Sequence, residues 1–114
     1  MPLREVQRRF PDLWEANLRQ DDPKFRWPGG ESYIAFRRRC IDTLHRIVTA
    51  HRGGSVALIT HAGVISQVIG FLFGTGPAEW ERFRAGNTAV TELVWESGDL
   101  LFFNDRSHLP HELT

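Results

Sequence analysis

The nine residues "LITHAGVIS", Leu58 to Ser66, set a histidine at the seam between a short β-branched run and a helix-like pattern. "SVALIT", Ser55 to Thr60, is apolar on both faces, as a strand covered on both sides of a parallel sheet would be. His61 would then stand at the C-terminal end of a strand and the N-terminus of a helix, the edge at which open α/β sheets take their ligands. Free amide N–H groups and the positive end of the helix dipole favour an anion there, most often phosphate. Ala62 and Gly63 are small enough to let a ligand approach the backbone. An imidazole so placed donates a hydrogen bond or a positive charge to a phosphoryl oxygen. The competing reading is a histidine at a turn, its nitrogens satisfied by backbone or water. Geometry alone leaves both open.

The other candidates carry less. Glu31 in "PGGES" falls in the first turn of a predicted helix, where the dipole is reason enough for a carboxylate, and it is also a candidate functional group. His108 and His111 lie three apart around a proline in a polar tail without cysteine partners, so no metal site is expected. The phosphate-loop, dinucleotide and nucleophile-elbow patterns GxxxxGK[ST], GxGxxG and GxSxG do not occur. The single cysteine, Cys40, has no partner for an internal disulfide and reads as a small buried hydrophobe. Arg37, Arg38 and Arg39 point in different directions on a helix and read as a solvated face.

The elements that must position these residues follow from periodicity. Leu3, Val6 and Phe10 recur at helical spacing, Pro11 interrupts them, and Asp12 is placed to cap a second short helix through "LWEANLRQ". "DDPKFRWPGG" is a loop. The longest helix is expected from Glu31 or Ser32 to His51, with Tyr33, Phe36, Cys40, Leu44, Ile47 and His51 on one stripe widened by Ile41 and Val48, closed by Gly53-Gly54. A strand over 55–60 precedes a helix through "AGVISQVIGFLFG", so apolar that it should be buried almost all round. "GPAEWERFR" predicts a short helix with Trp80 and Phe83 inward. Strands over Thr88–Glu96 and Leu100–Phe103 join around Ser97-Gly98-Asp99. The order is α/β, with no repeat, yet one strand before the final pair is thin for such a sheet.

At 114 residues the chain is one domain's worth. Fourteen basic and fourteen acidic residues balance, which gives no electrostatic reason to expect nucleic acid or an acidic membrane surface as a partner. Nor does any run approach a membrane span, and "MPLREVQRRF" is charged where a signal peptide needs an apolar stretch. One cysteine fits a reducing, cytoplasmic compartment.

Taken together, "WPGGESY" at 27–33, "VALITHAGVI" at 56–65, "NTAVTEL" at 87–93 and "FNDRSHL" at 103–109 resemble the second half of the histidine phosphatase superfamily, the phosphoglycerate mutase-like enzymes. The ordered set spans nearly the whole chain. The resemblance implies phosphoryl transfer through a phosphohistidine on small phosphorylated metabolites, with no metal or organic cofactor. It implies that His61 is the second active-site histidine, binding and polarising the phosphoryl group without being the nucleophile, and that Ala62 offers its backbone N–H to the same phosphate. Asn87 and Thr88 begin a strand near that pocket in the family. Glu31 is a candidate pocket neighbour, although it is not the family's usual general acid.

The departure is as informative. Family members begin with a strand ending in Arg-His-Gly, whose histidine is the nucleophile, and no Arg-His-Gly occurs here. "PLREVQRRFPDLWE" resembles the segment just after the family's general-acid region, so Met1 is expected to stand where the family chain is already well under way. The fold expected over 1–114 is therefore the C-terminal portion of an α/β domain, a partial phosphoglycerate mutase-like three-layer sandwich lacking the N-terminal strands. In the family the Arg-His-Gly strand lies between the strands matching 55–60 and 88–96, so each should expose an unpaired edge. Those edges are expected to pair directly, to pair with a second copy, or to stay poorly ordered. The alternative to a piece of a phosphomonoesterase or mutase is a non-catalytic relative that binds phosphorylated ligands or a protein partner.

Overall fold

The computed structural model describes residues 2–110, and His111, half of the tail histidine pair, lies outside them. Pro11 divides the first helical stretch into α1, Leu3–Arg9, and α2, Pro11–Arg19. Asp12 does not cap α2. Proline takes the first helical position, where its missing N–H costs nothing, and Phe10 becomes the N-cap without a side-chain bond. The loop from Asp21 to Gly30 comes next and carries an aromatic cluster. Phe25 is buried edge-on to Trp27 at 5.4 Å and stacked on Tyr33 at 5.7 Å, with Trp14 of α2 tilted against Trp27 at 6.5 Å. The Tyr33 hydroxyl donates to Asn17 Oδ1, which ties α2 to the next helix.

That helix, α3, runs Tyr33–Ala50, with its N-terminus fixed by Ser32, whose Oγ accepts from the Ala35 N–H at 3.2 Å. Ser32→Ala should remove about 1 kcal/mol of stability, read as a lower midpoint in thermal or urea unfolding with an unchanged folded spectrum. The expected stripe turns inward, with Cys40 at its buried centre, while His51 is the exposed C-cap. α4, Ala62–Phe73, packs against α3 and stops at Gly74, which takes the left-handed conformation at φ 76°. Its middle, Ser66 to Gly70, is more than one full turn and is buried all round as expected, whereas Phe71 and Phe73 near its C-terminal end are exposed.

β1, Val90–Val94, and β2, Asp99–Asp105, form an antiparallel hairpin, the one sheet among the described residues. Val94 pairs with Asp99 and Leu93 with Leu100, and the Gly98 N–H returns to the Val94 carbonyl at 2.8 Å to close the turn. Both strands are displaced by a residue or two from their predicted limits. The register breaks between Val90 and Leu93, so pairing fades where β1 was expected to begin.

Two predicted elements do not form. Gly76–Arg84 is a run of turns, Glu79 N–H to Gly76, Arg82 to Glu79 and Arg84 to Glu81, because the carbonyls of Thr75, Pro77 and Trp80 are bonded by side chains of α3 and α4. Ser55–Thr60 runs without helix, turn or bend, but it has no ladder partner among the described residues and every residue from His51 to Thr60 is exposed. A strand exists only by pairing, and among the described residues no strand pairs with this one. The two edges thus do not pair directly. The chain is correspondingly open: its radius of gyration is 15.9 Å, against about 13 Å for a compact domain of this length.

Candidate functional site

Between Ser55–Thr60 on one side and β1 on the other lies a groove of ≈1270 Å³, floored by Cys40, Leu44 and Ile47 of α3 and by Val68 and Ile69 of α4. His61, Ala62, Asn87 and Thr88 all stand on its wall. Glu31 does not.

His61 is the N-cap residue of α4, with extended backbone at φ −105° and ψ 158° and an exposed side chain that makes no capping bond. Its carbonyl receives the N–H groups of Val64 at 3.1 Å and Ile65 at 3.3 Å. The N–H groups of Ala62 and Gly63 find no acceptor among the described residues, which leaves two donors open beside the imidazole. The side chain is in the open, where water can satisfy its nitrogens, next to the positive end of a 12-residue helix.

Asn87 and Thr88 form the centre of a turn closed by the Ala89 N–H on the Gly86 carbonyl at 3.2 Å. Thr88 takes φ 59° there, a left-handed conformation that a β-branched residue adopts only under constraint, at a cost of about 1–3 kcal/mol. The constraint comes from β2: Asn104 Oδ1 accepts the Gly86 N–H at 2.8 Å, and the Asn104 N–H donates to Thr91 Oγ1 at 3.1 Å. These two residues therefore precede β1 as a held turn instead of beginning it.

Glu31 grips Arg39 through three hydrogen bonds of 2.9 to 3.3 Å. The Arg39 guanidinium, on the groove wall, lies 5.3 Å over the Phe36 ring, and the same ring faces Gly63. Glu31 so acts on an arginine one phenyl ring away from the first turn of α4. Cys40 is buried, and burial pushes its thiol above the ordinary range, which suits a packing residue rather than a nucleophile.

Sequence reasoning missed the polar lock behind α4. Arg37 is not part of a solvated face: its Nε donates to Gln67 Oε1 at 2.8 Å, Nη1 donates to the Thr75 carbonyl, and Nη2 to the Gly76 carbonyl at 3.4 Å. Gln67, 2 % exposed, passes the chain on by donating to the Pro77 carbonyl at 2.8 Å, and Ser66 Oγ donates to the Trp80 carbonyl at 2.6 Å. Gly70 leaves the space, since a Cβ there would meet Arg37 Nη2 at 2.5 Å and Thr75 Oγ1 at 2.7 Å. The available signal was Ser66-Gln67, two polar residues in an otherwise apolar helix.

Among the described residues no three His, Cys, Asp or Glu side chains gather as a metal-holding group, and no helix is long and apolar enough to cross a membrane. A family model described as "Histidine phosphatase superfamily (branch 1)" matches residues 1–105. No curated protein and no solved structure matches the chain.

Proposed function

The chain belongs to the histidine phosphatase superfamily, and from that premise, which favours phosphatase- or mutase-like chemistry on a phosphorylated substrate, we propose that His61 is the group through which it holds the phosphoryl oxygens. The supporting observation is the exposed imidazole next to two open N–H donors at the start of α4. In this reading Ala62 N–H and the His61 side chain share the phosphate, the held turn at Asn87-Thr88 borders it, and Glu31 contributes only through Arg39.

His61 positions and polarises and does not attack. The attacking imidazole forms the N–P bond as the ester P–O bond breaks, the leaving oxygen takes a proton from a general acid, and water then cleaves the phosphohistidine. No Arg-His-Gly is present to supply that nucleophile. It is contributed by residues other than these 114, on a strand seated in the groove between Ser55–Thr60 and β1, with residues 1–114 the C-terminal portion of a three-layer domain.

The test is turnover. The purified chain should release no nitrophenolate from p-nitrophenyl phosphate above buffer. Release that disappears in His61→Ala would overturn the assignment of roles, because it would place the nucleophile within these residues.

A further inference from the structure

On the phosphate reading of α4, we propose that Phe36 is a positioning residue for that site, aiming the open N–H of Gly63, and that the Glu31–Arg39 pair serves the site by holding the Phe36 ring in place. The start of α4 is its least fastened part. His61 and Gly63 are exposed, and full burial begins only at Ser66. The side-chain bonds that tie α4 to its surroundings engage Ser66, Gln67 or the chain beyond Gly70. Glycine at 63 adds freedom, since its backbone has the most to lose on entering a helix. A donor on such a turn is only as well aimed as whatever packs against the turn, and a hydrogen bond weakens steeply as its angle closes.

Phe36 is what packs there. Beyond its chain neighbours and its own helix backbone, a Cβ at Gly63 would have one atom within 4 Å, the Phe36 Cε2 at 3.9 Å. The ring thus stands one van der Waals layer from the backbone that carries the open N–H.

The ring is held in turn. The Arg39 guanidinium, three residues further along α3, lies 5.3 Å over it. An exposed arginine ordinarily samples many rotamers. Glu31, just before the Ser32 cap, fixes Nε and Nη2 of this one with three hydrogen bonds of 2.9 to 3.3 Å, and neither side chain bonds any other group among the described residues. Carboxylate, guanidinium, ring and N–H form one continuous series of contacts from the cap of α3 to the first turn of α4. Glu31 and Arg39 therefore act on the anion without touching it.

Backbone ¹⁵N relaxation at Gly63 without ligand and calorimetric titration of inorganic phosphate read the two links separately. Phe36→Leu, which keeps an apolar side chain and loses the ring, should lower the Gly63 order parameter and leave that of Gly70 as in wild type. It should also weaken phosphate about threefold or more, because a misaimed charge-assisted hydrogen bond loses part of its strength. Phe36→Tyr keeps the ring and should match wild type in both. Because Phe36→Leu could loosen the whole α3–α4 contact, Glu31→Gln supplies the second variant. That exposed change weakens the hold on Arg39 and should move Gly63 order and phosphate affinity in the same direction by a smaller amount, at an unchanged melting midpoint. Gly63 order unchanged in both Phe36→Leu and Glu31→Gln, or phosphate bound equally by wild type and both variants, would overturn the proposal and leave the phosphate reading standing. Wild type without saturable phosphate binding would overturn that reading instead, while the relaxation data still decide whether Phe36 holds Gly63.

Discussion

Arg37→Leu is expected to destabilise the chain by about 2–4 kcal/mol, the largest stability effect of any single substitution considered. The guanidinium fork donates to the buried Gln67 amide and to the carbonyls of Thr75 and Gly76, so it fastens α3 to the far end of α4. Leucine fills part of the volume and satisfies none of the acceptors. Hydrogen bonds from a charged donor contribute roughly 1.5–3 kcal/mol, and a buried acceptor stripped of its partner costs about 1–3 kcal/mol. Burial pushes the Arg37 guanidinium down, and the nearby Glu79 carboxylate opposes this. Arg37→Lys should recover only part of the loss, because one ammonium cannot reproduce the fork. Urea unfolding of the three proteins measures this. A difference below about 0.5 kcal/mol between wild type and Arg37→Leu would show that the lock does not hold the helices together.

The second large effect concerns the ligand. Ala62→Pro deletes one N–H at the first position of α4, where proline is well tolerated and where His61, at φ −105° and ψ 158°, already has the extended backbone that a residue before proline needs. Stability should therefore change little. If the Ala62 N–H holds phosphate, losing a charge-assisted hydrogen bond of about 1.5–3 kcal/mol weakens inorganic phosphate by at least tenfold. Calorimetry beside a melting curve separates the outcomes. Unchanged affinity with unchanged stability would remove Ala62 from the site.

How much of this was legible in the sequence depends on where the determining forces act. The helices were, because local periodicity and caps set them: Ser32, Pro11 and Gly74 stop or start α3, α2 and α4 with little help from elsewhere. Even so, Asp12 does not cap α2, because Pro11 takes the first helical position and Phe10 stands at the N-cap. Ser55–Thr60 has strand composition and no ladder, since pairing depends on a neighbour and composition does not. Gly76–Arg84 has helical composition and forms turns, since long-range bonds from Arg37, Gln67 and Ser66 claim the carbonyls a helix would use. The same contacts, 10 to 38 residues apart in sequence, are why Arg37 read as surface. His61 could be placed at the helix N-terminus from spacing alone. That Asn87 and Thr88 share its groove depends on a turn held by Asn104, which no local pattern announces.

The central claim is that His61 holds a phosphoryl group. Calorimetric titration of inorganic phosphate into wild type and His61→Ala tests it most directly. Saturable binding by wild type that weakens at least tenfold in His61→Ala, about 1.4 kcal/mol or more, with matched melting curves, is the predicted result. Identical titrations for the two proteins would contradict it.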